Sequence, residues 1–267
     1  MKRIEQKFKE LRAQKRAALI AYICAGDPNY ETSLATLKAM PAAGADMIEL
    51  GVPFLDPAGD GPTIEIAAKR AIAAGMTLQK VLKMVTEFRK SDKKTPLILM
   101  TYYNPVLKFG LNKIFAEAEE SGVDGFLIVD LPPEEEQEIL PQISKTKLDL
   151  IRLIAPTTDI KRQKKITKNA GGFLYLISLL GITGTTLAKA KDNVKNLQNL
   201  KKISKLPIAI GFGIQTPQQV REFSQIGVDA VIIGSVLVKE MAEKKSSVEI
   251  VSAVTKKIQE FSKCLKA

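Results

Sequence analysis

Histidine is absent from the 267-residue chain, and cysteine occurs only twice. The lack of histidine excludes the Ser-His-Asp and Cys-His catalytic arrangements and removes the commonest transition-metal ligand. Cys24 and Cys264 lie far apart in sequence, which predicts neither a disulfide framework nor a zinc motif and suits a reducing cytosol. Any acid-base chemistry is therefore left to Asp, Glu, Lys, Tyr or Cys.

Long hydrophobic runs and aromatic residues are also scarce. No apolar run reaches the length of about 18 residues that a membrane span needs. The first residues are charged and lack the apolar stretch of a signal peptide, so we expect a cytoplasmic protein that is not bound to a membrane. Net charge is +11, but aromatics make up 6% and the lysines are scattered, for example at Lys161 and Lys168. This pattern predicts a solvated basic surface and no nucleic-acid partner.

The chain does contain a regular alternation of short apolar runs and helical patterns. The eight apolar runs cover residues 17–23, 47–50, 97–100, 125–129, 148–154, 173–177, 207–210 and 230–233. A Gly-x-Asp sequence ending at Asp46, Asp124 and Asp229 precedes three of these runs, as in a helix-to-strand turn. Eight βα units predict a (β/α)8 TIM barrel, while a doubly wound sheet, which usually has six strands, is the alternative.

Three features modify this regular plan. Residues 2–14 predict an extra N-terminal amphipathic helix, and the second βα unit is enlarged by the loop 53–62 and a helical segment around residues 77–90. Pro41 is expected to end or kink the helix that begins at residue 30. The Gly/Thr-rich stretch 179–190 has the composition of a mobile lid. We expect residues 1–267 to form one TIM-barrel domain.

Two carboxylates stand out near the second run. Glu49 interrupts the apolar run 47–50, and a buried carboxylate without a partner costs several kcal/mol or takes up a proton. Asp60 follows on a loop that Pro53, Pro57 and Pro62 stiffen. The residues alone leave two interpretations: a pair of carboxylates that faces one cavity, or a Glu49 that pairs with a buried Arg or Lys beside an Asp60 that only forms a turn.

Glycines follow the last two runs, where TIM barrels bind phosphate. Gly211 and Gly213 come after the seventh run, and Gly234 with Ser235 comes after the eighth. Glycine lets backbone N–H groups approach an anion, and a following helix adds its dipole. None of the eight runs contains the lysine of a Schiff-base aldolase. The residues therefore favour a phosphorylated substrate and carboxylate chemistry without a cofactor.

Residues 48–62, 99–105, 130–135, 175–184, 211–217 and 231–235 together resemble the tryptophan synthase α chain, and the match extends back to Gly26-Asp27-Pro28. The resemblance implies retro-aldol cleavage of indole-3-glycerol phosphate to indole and glyceraldehyde 3-phosphate. It also implies an α2β2 complex with a β subunit, which receives the indole and holds the pyridoxal phosphate. No cofactor is expected in this chain.

The resemblance also implies roles for single residues. Glu49 would be the general acid-base, and Asp60 would accept from the indole N–H. The other implied residues are Tyr22, Met100, Tyr102, Tyr175, Thr183 and Phe212 around the indole, Gly184, Gly213, Gly234 and Ser235 at the phosphate, and Pro53, Asp56, Pro57, Asn104, Asp130 and Pro132 at the partner interface. No metal is implied.

The chain departs from its relatives inside the loop that carries Asp60. Leu55 stands where relatives usually have Ser, Gly59 where they usually have Ala, and Leu179 where they often have Arg. One alternative is thus a ligand-binding allosteric partner of the β subunit with weakened lyase activity. Another is a different phosphate-binding barrel, such as a sugar-phosphate isomerase or an indole-glycerol-phosphate synthase. The latter needs a strand lysine or a Cys-Asp pair, for which Cys24 and Asp130 are distant candidates.

Overall fold

The eight apolar runs form eight parallel strands in a computed structural model that describes residues 1–178 and 189–265. The strands are β1 (Ala18–Cys24), β2 (Met47–Gly51), β3 (Leu97–Thr101), β4 (Gly125–Ile128), β5 (Asp149–Ile154), β6 (Leu174–Ile177), β7 (Ile208–Gly211) and β8 (Ala230–Ile233). Each strand pairs with the next, and β8 pairs with β1, so the sheet is closed. The predicted (β/α)8 barrel is confirmed.

Helices surround the barrel. They are α1 (Arg3–Ala13), α2 (Tyr30–Ala43), α3 (Pro62–Ala73), α4 (Leu78–Arg89), α5 (Tyr103–Phe109), α6 (Leu111–Ser121), α7 (Leu140–Ile143), α8 (Ile160–Thr167), α9 (Val194–Ile203), α10 (Pro217–Gln225), α11 (Ser235–Glu243) and α12 (Ser247–Lys263). Helices α3 and α4 both lie between β2 and β3, which confirms the enlarged second unit. In residues 1–178 and 189–265, none of these helices combines the length and the apolar character that crossing a membrane requires.

Helix α1 covers one end of the barrel. Its apolar stripe of Ile4, Phe8 and Leu11 is buried in the cluster that fills the barrel interior. Two ion pairs attach the start of the helix, from Lys2 to Asp149 and from Arg3 to Asp124. Since Asp124 and Asp149 stand at the N-terminal ends of β4 and β5, α1 closes the end of the barrel opposite to the C-terminal strand ends.

The three Gly-x-Asp sequences have a common structural role. Each glycine has a left-handed backbone, and each aspartate precedes a strand. One carboxylate oxygen of each accepts the N–H of a residue on the strand before it: Leu19 to Asp46 at 2.9 Å, Leu97 to Asp124 at 2.8 Å and Ile208 to Asp229 at 2.9 Å. The repeat therefore satisfies backbone groups at the strand starts that the barrel would otherwise leave unpaired.

Replacement of Asp229 by alanine is expected to lower stability by about 1–3 kcal/mol, because the N–H of Ile208 loses its side-chain acceptor. Thermal unfolding of the variant measures the loss. Asp229→Asn keeps one carbonyl acceptor and should recover most of it, while Asp56→Ala on an exposed loop is the control. Equal melting temperatures for Asp229→Ala and Asp56→Ala would contradict this role.

The prediction that Pro41 ends the helix is wrong. Helix α2 continues through Pro41 to Ala43 and ends at Gly44, whose φ is 110°. Pro41 lies in the last turn, where its missing N–H costs a single helical hydrogen bond. The N–H groups of Gly44 and Ala45 then satisfy the carbonyls of Pro41 and Met40. The glycine, rather than the proline, ends the helix.

Candidate active site

Glu49 points into the barrel because side chains alternate along β2. Met47 belongs to the interior cluster, whereas Ile48 and Leu50 pack against the surrounding helices. The side chain of Glu49 is buried, and its Oε1 has no hydrogen-bond partner among the described residues. Burial alone raises the pKa of Glu49 to about 8. The buried ion pair that one interpretation expected is not present, since Glu49 makes no ion pair within the described part of the chain.

Asp60 approaches the same space from the loop between β2 and α3. Burial raises its pKa to about 6, against the lowering effect of a hydrogen bond from Tyr102, and the charge of Glu65 adds to the rise. The Tyr102 hydroxyl also accepts the N–H of Gly59 at 3.0 Å. Tyr102 therefore connects the end of β3 to two consecutive residues of the Asp60 loop.

A partly buried ion pair fixes the helix that follows Asp60. Arg70 on α3 donates through Nε and Nη2 to both carboxylate oxygens of Asp27, at 2.7 and 2.8 Å. Asp27 is fully buried in the turn after β1. Because α3 begins at Pro62, this pair ties the loop that carries Asp60 to the end of β1.

A cavity at the C-terminal ends of the strands brings most of the predicted residues together. It is lined by Tyr22, Glu49, Asp60, Ile64, Met100, Tyr175, Phe212, Gly213, Ile214, Ile232, Gly234 and Ser235. Nine of these twelve were predicted. Tyr102 is not among the lining residues and contacts the Asp60 loop instead, while Thr183 and Gly184 lie outside the described residues.

Sequence reasoning missed three apolar lining residues. Ile232 belongs to the interior face of β8 with Ala230, so the period of two along the strand contained the signal. Ile214 directly follows Gly213 and lies inside residues 211–217, one of the segments that resemble the tryptophan synthase α chain. Ile64 is in the first turn of α3, and no local pattern in the sequence marks it as part of the cavity.

Backbone groups form the end of the cavity where the sequence predicts a phosphate site. Helix α11 begins at Ser235 with Gly234 as its N-cap, and both residues line the cavity, so the free N–H groups of the helix face it. On the other side, Phe212 and Gly213 have φ values of 74° and 71°. The left-handed conformation costs a non-glycine residue about 1–3 kcal/mol. Phe212 is therefore held in a strained backbone at the edge of the cavity.

Two glycines make room for the tyrosines of the cavity wall. A Cβ atom at Gly51 would lie 2.2 Å from the hydroxyl of Tyr22, and one at Gly211 would lie 2.3 Å from that of Tyr175. Each glycine ends the strand next to the one that carries the tyrosine. The rings of Tyr175 and Phe212 also pack in a T-shaped arrangement, with their centroids 5.6 Å apart. The absence of side chains at the two strand ends thus sets the positions of the two rings.

The residues predicted for the partner interface follow β2, β3 and β4, so they share one side of the cavity mouth. Asp56, Asn104, Asp130 and Pro132 are exposed, and Pro53 and Pro57 are half-buried. Leu55, inside the same loop as Pro53 and Pro57, is 60% exposed, and Leu107 on α5 is 51% exposed. The mouth therefore presents apolar as well as polar side chains to solvent.

The Cys-Asp alternative finds no support in the geometry. Cys24 is buried at the end of β1, and burial raises the pKa of its thiol. Asp130 is exposed after β4, where its carboxylate accepts the N–H of Tyr103 at 2.7 Å. A thiol that resists ionisation and an exposed carboxylate at a non-adjacent strand do not form a catalytic pair.

Comparison with known proteins agrees with this geometry. The family model for the tryptophan synthase alpha chain matches residues 8–266. The tryptophan synthase alpha chain of Gluconacetobacter diazotrophicus is 48% identical over 243 residues, which cover 91% of this chain and 88% of that protein. None of the comparisons favours the alternative of a merely allosteric subunit.

Solved structures show the same relationship. Tryptophan synthase subunit alpha from Legionella pneumophila is 35% identical, with a TM-score of 0.90, over 99% of this chain and 98% of that one. A chain of Mycobacterium tuberculosis tryptophan synthase is 30% identical, with a TM-score of 0.91, over 100% and 99% of the two chains. The chain therefore belongs to the tryptophan synthase alpha chain family, whose members are lyases that cleave indole-3-glycerol phosphate.

Proposed function

We propose that Glu49 and Asp60 together carry the proton transfers of this cleavage. Glu49, protonated at the start, donates its proton to C3 of the indole, and the positive charge that results spreads to the ring nitrogen. Asp60, ionised, accepts a hydrogen bond from the indole N–H and stabilises that charge. The carboxylate of Glu49 then takes the proton of the glycerol hydroxyl as the carbon–carbon bond breaks. The products are indole and glyceraldehyde 3-phosphate, and Glu49 regains its proton.

The environments of the two carboxyl groups support this division of roles. Glu49 has a pKa of about 8 and is mostly protonated at neutral pH, as an acid must be. Asp60 has a pKa of about 6 and is mostly ionised at that pH, since the hydrogen bond from Tyr102 offsets part of the effect of burial. Two acids with different protonation states in one cavity are the arrangement that acid-base catalysis needs.

The residues that line the cavity support the proposed orientation of the substrate. The indole ring would lie between Tyr22, Tyr175 and Phe212, with Met100 beside it. The phosphate would bind backbone N–H groups at Gly213, Gly234 and Ser235, where the N-terminus of α11 favours negative charge. Thr183 and Gly184 are proposed to complete the indole and phosphate sites on the basis of the sequence resemblance.

The activity is expected to depend on pH as a bell-shaped curve. Cleavage should decline below about pH 6, where Asp60 becomes protonated, and above about pH 8, where Glu49 loses its proton. The measurement is kcat/KM for indole release from pH 5 to pH 9.5. In Asp60→Asn the acidic limb should disappear together with most of the activity, and the alkaline limb should stay. An unchanged acidic limb in that variant would assign it to another group.

We further propose that the chain acts in an α2β2 complex with a β subunit that holds pyridoxal phosphate and receives the indole. Membership of the family supports a β partner. The exposed side of the mouth, with Pro53, Asp56, Pro57, Asn104, Asp130 and Pro132, is the surface proposed to face it. We also propose that residues 1–267 form one domain and that the protein is cytoplasmic.

The observation that carries the proposal is the buried Glu49, whose Oε1 lacks a partner among the described residues, in a cavity that also holds Asp60 and the N-terminus of α11. The test is the release of indole from indole-3-glycerol phosphate, measured with and without a β subunit. We expect slow release by the isolated chain and faster release in the complex. If neither sample releases indole, the proposed function is wrong.

A further inference from the structure

Asn193 holds together the two points where residues 179–188 join the described parts of the chain. It is the last residue of the 3-10 helix Ala190–Asn193, and it is 1% exposed. Its side-chain amide nitrogen donates to the carbonyl oxygen of Ser178 at 3.2 Å and to that of Lys189 at 3.1 Å. Ser178 directly precedes residues 179–188, and Lys189 directly follows them. A single buried amide group thus fixes both attachment points.

This use of the side chain is unusual for its position. Asn193 is the N-cap of α9, and asparagine is preferred there because its oxygen can accept an N–H of the first helical turn. In this chain the side chain makes no such capping bond. Both protons of the amide are used on the carbonyls of Ser178 and Lys189 instead. The side chain therefore serves the neighbouring connection rather than its own helix.

Ser178 connects Asn193 to residues that line the cavity. Its N–H and its hydroxyl both donate to the carbonyl of Gly211, at 2.9 and 2.7 Å, and the hydroxyl also contacts the carbonyl of Phe212. Phe212 is the residue with the strained left-handed backbone, and with Gly213 it lines the cavity. The position of Ser178 therefore bears directly on the residues proposed to hold the indole ring and the phosphate.

We propose that Asn193 is a positioning residue for substrate binding. It fixes the carbonyls of Ser178 and Lys189, so that the connection from β6 leaves and returns at fixed points and Ser178 keeps Phe212 and Gly213 in place. The inference rests on the proposed function, because Phe212 and Gly213 are among the residues proposed to hold the indole ring and the phosphate.

The first test compares Asn193→Asp with Asn196→Asp. The first variant keeps the size of the side chain but replaces the two donated protons by a carboxylate that repels both carbonyls. Asn196 is the matched control, because it lies in the first turn of α9, three residues after Asn193, and its amide donates to the carbonyl of Pro156 at 3.0 Å, away from Ser178 and Lys189. We expect kcat/KM for indole release to fall about 30-fold in Asn193→Asp, mainly through a higher KM, and less than about threefold in Asn196→Asp. Equal losses in the two variants would overturn the proposal.

A second measurement does not depend on the activity. Residues 179–188 contain no Lys or Arg, so trypsin cannot cut within them, and Lys189 is the first site after them. Lys189 is exposed, but Asn193 holds the carbonyl of the bond that trypsin would cleave. We expect cleavage after Lys189 to be about ten times faster in Asn193→Asp than in the unaltered chain or Asn196→Asp, as followed by mass spectrometry. Equal rates would show that Asn193 does not hold this point, whether or not the unaltered chain releases indole.

Discussion

Glu49→Gln is expected to lower the rate of indole release by about 10³-fold, the loss that follows when a positioned general acid-base is removed. Glutamine has nearly the same shape as the protonated acid, but it cannot donate a proton to C3 or accept one from the glycerol hydroxyl. Binding of the phosphate group should persist, because the substitution leaves the backbone at Gly213, Gly234 and Ser235 unchanged. The measurements are steady-state indole release and the affinity for glyceraldehyde 3-phosphate.

Glu65→Gln is the matched control for this experiment. Glu65 also lies near Asp60, but it is paired with Lys69 at 2.6 Å and does not line the cavity. Its removal should change the rate by less than about threefold. If Glu49→Gln retained activity similar to that of Glu65→Gln, then Glu49 would not be the general acid-base. If phosphate-ligand affinity fell in parallel with the rate, the variant would have damaged the cavity as a whole.

Glu49→Gln should also reveal the free-energy cost of ionising Glu49 inside the barrel. A carboxyl group whose pKa is raised by folding binds its proton more tightly in the folded state. Its contribution to stability is complete below the ordinary pKa of 4.5 and is lost as the pH rises through about 8. Glutamine does not titrate, so Glu49→Gln should gain about 3–4 kcal/mol over the unaltered chain between pH 5 and pH 8. Chemical unfolding at several pH values measures this difference, and a difference that does not change with pH would contradict the raised pKa.

Gly51→Ala is expected to reduce kcat/KM about 100-fold and stability by about 1–3 kcal/mol. The added Cβ would lie 2.2 Å from the Tyr22 hydroxyl and 2.7 Å from two carbons of its ring. Tyr22 is opposite Glu49 in the pairing of β1 with β2, so a displaced ring moves into the cavity beside the carboxyl group that we propose as the general acid-base. Steady-state kinetics and thermal unfolding measure the two effects.

Tyr22→Phe tests the cause of that loss. In the Gly51→Ala background it removes the hydroxyl that makes the closest contact but leaves the ring carbons at 2.7 Å, so it should restore part of the activity. Alone, it should have only a small effect. Gly59→Ala is a second control, since its Cβ would meet only the tip of Val129 at 2.9 Å and the Tyr102 hydroxyl at 3.4 Å. If Tyr22→Phe restored nothing, the loss in Gly51→Ala would not come from this contact.

The local pattern of the sequence was sufficient for the architecture. Each of the eight apolar runs became a strand with bounds within two residues of those predicted, because parallel strands buried on both faces are continuous apolar segments. The same rule singled out Glu49, because burying a charged residue inside such a run costs solvation free energy. The prediction that Pro41 ends its helix failed because the cost of a proline depends on how many helical bonds remain after it.

The site required more than local pattern. The cavity joins side chains from β1, β2, β3, β6 and β8 with residues that directly follow β7, and their separations are set by the closure of the barrel and by packing across it. Gly51 leaves space for the ring of Tyr22, and Gly211 leaves space for the ring of Tyr175. Both spaces exist only between neighbouring strands. The two hydrogen bonds of Asn193 likewise join residues 15 and 4 positions away.

By itself, the sequence determined the eight βα units, the acidic residue inside the second strand and the glycines at the last two strand ends. These features are local, because burial and backbone freedom act on each residue within its own strand or turn. Tertiary structure alone decided that Glu49 is buried without an ion-pair partner among the described residues, and that Asp60 receives a hydrogen bond from Tyr102. A pKa depends on the dielectric and the charges around a group, and those are set by residues brought together only when the barrel closes.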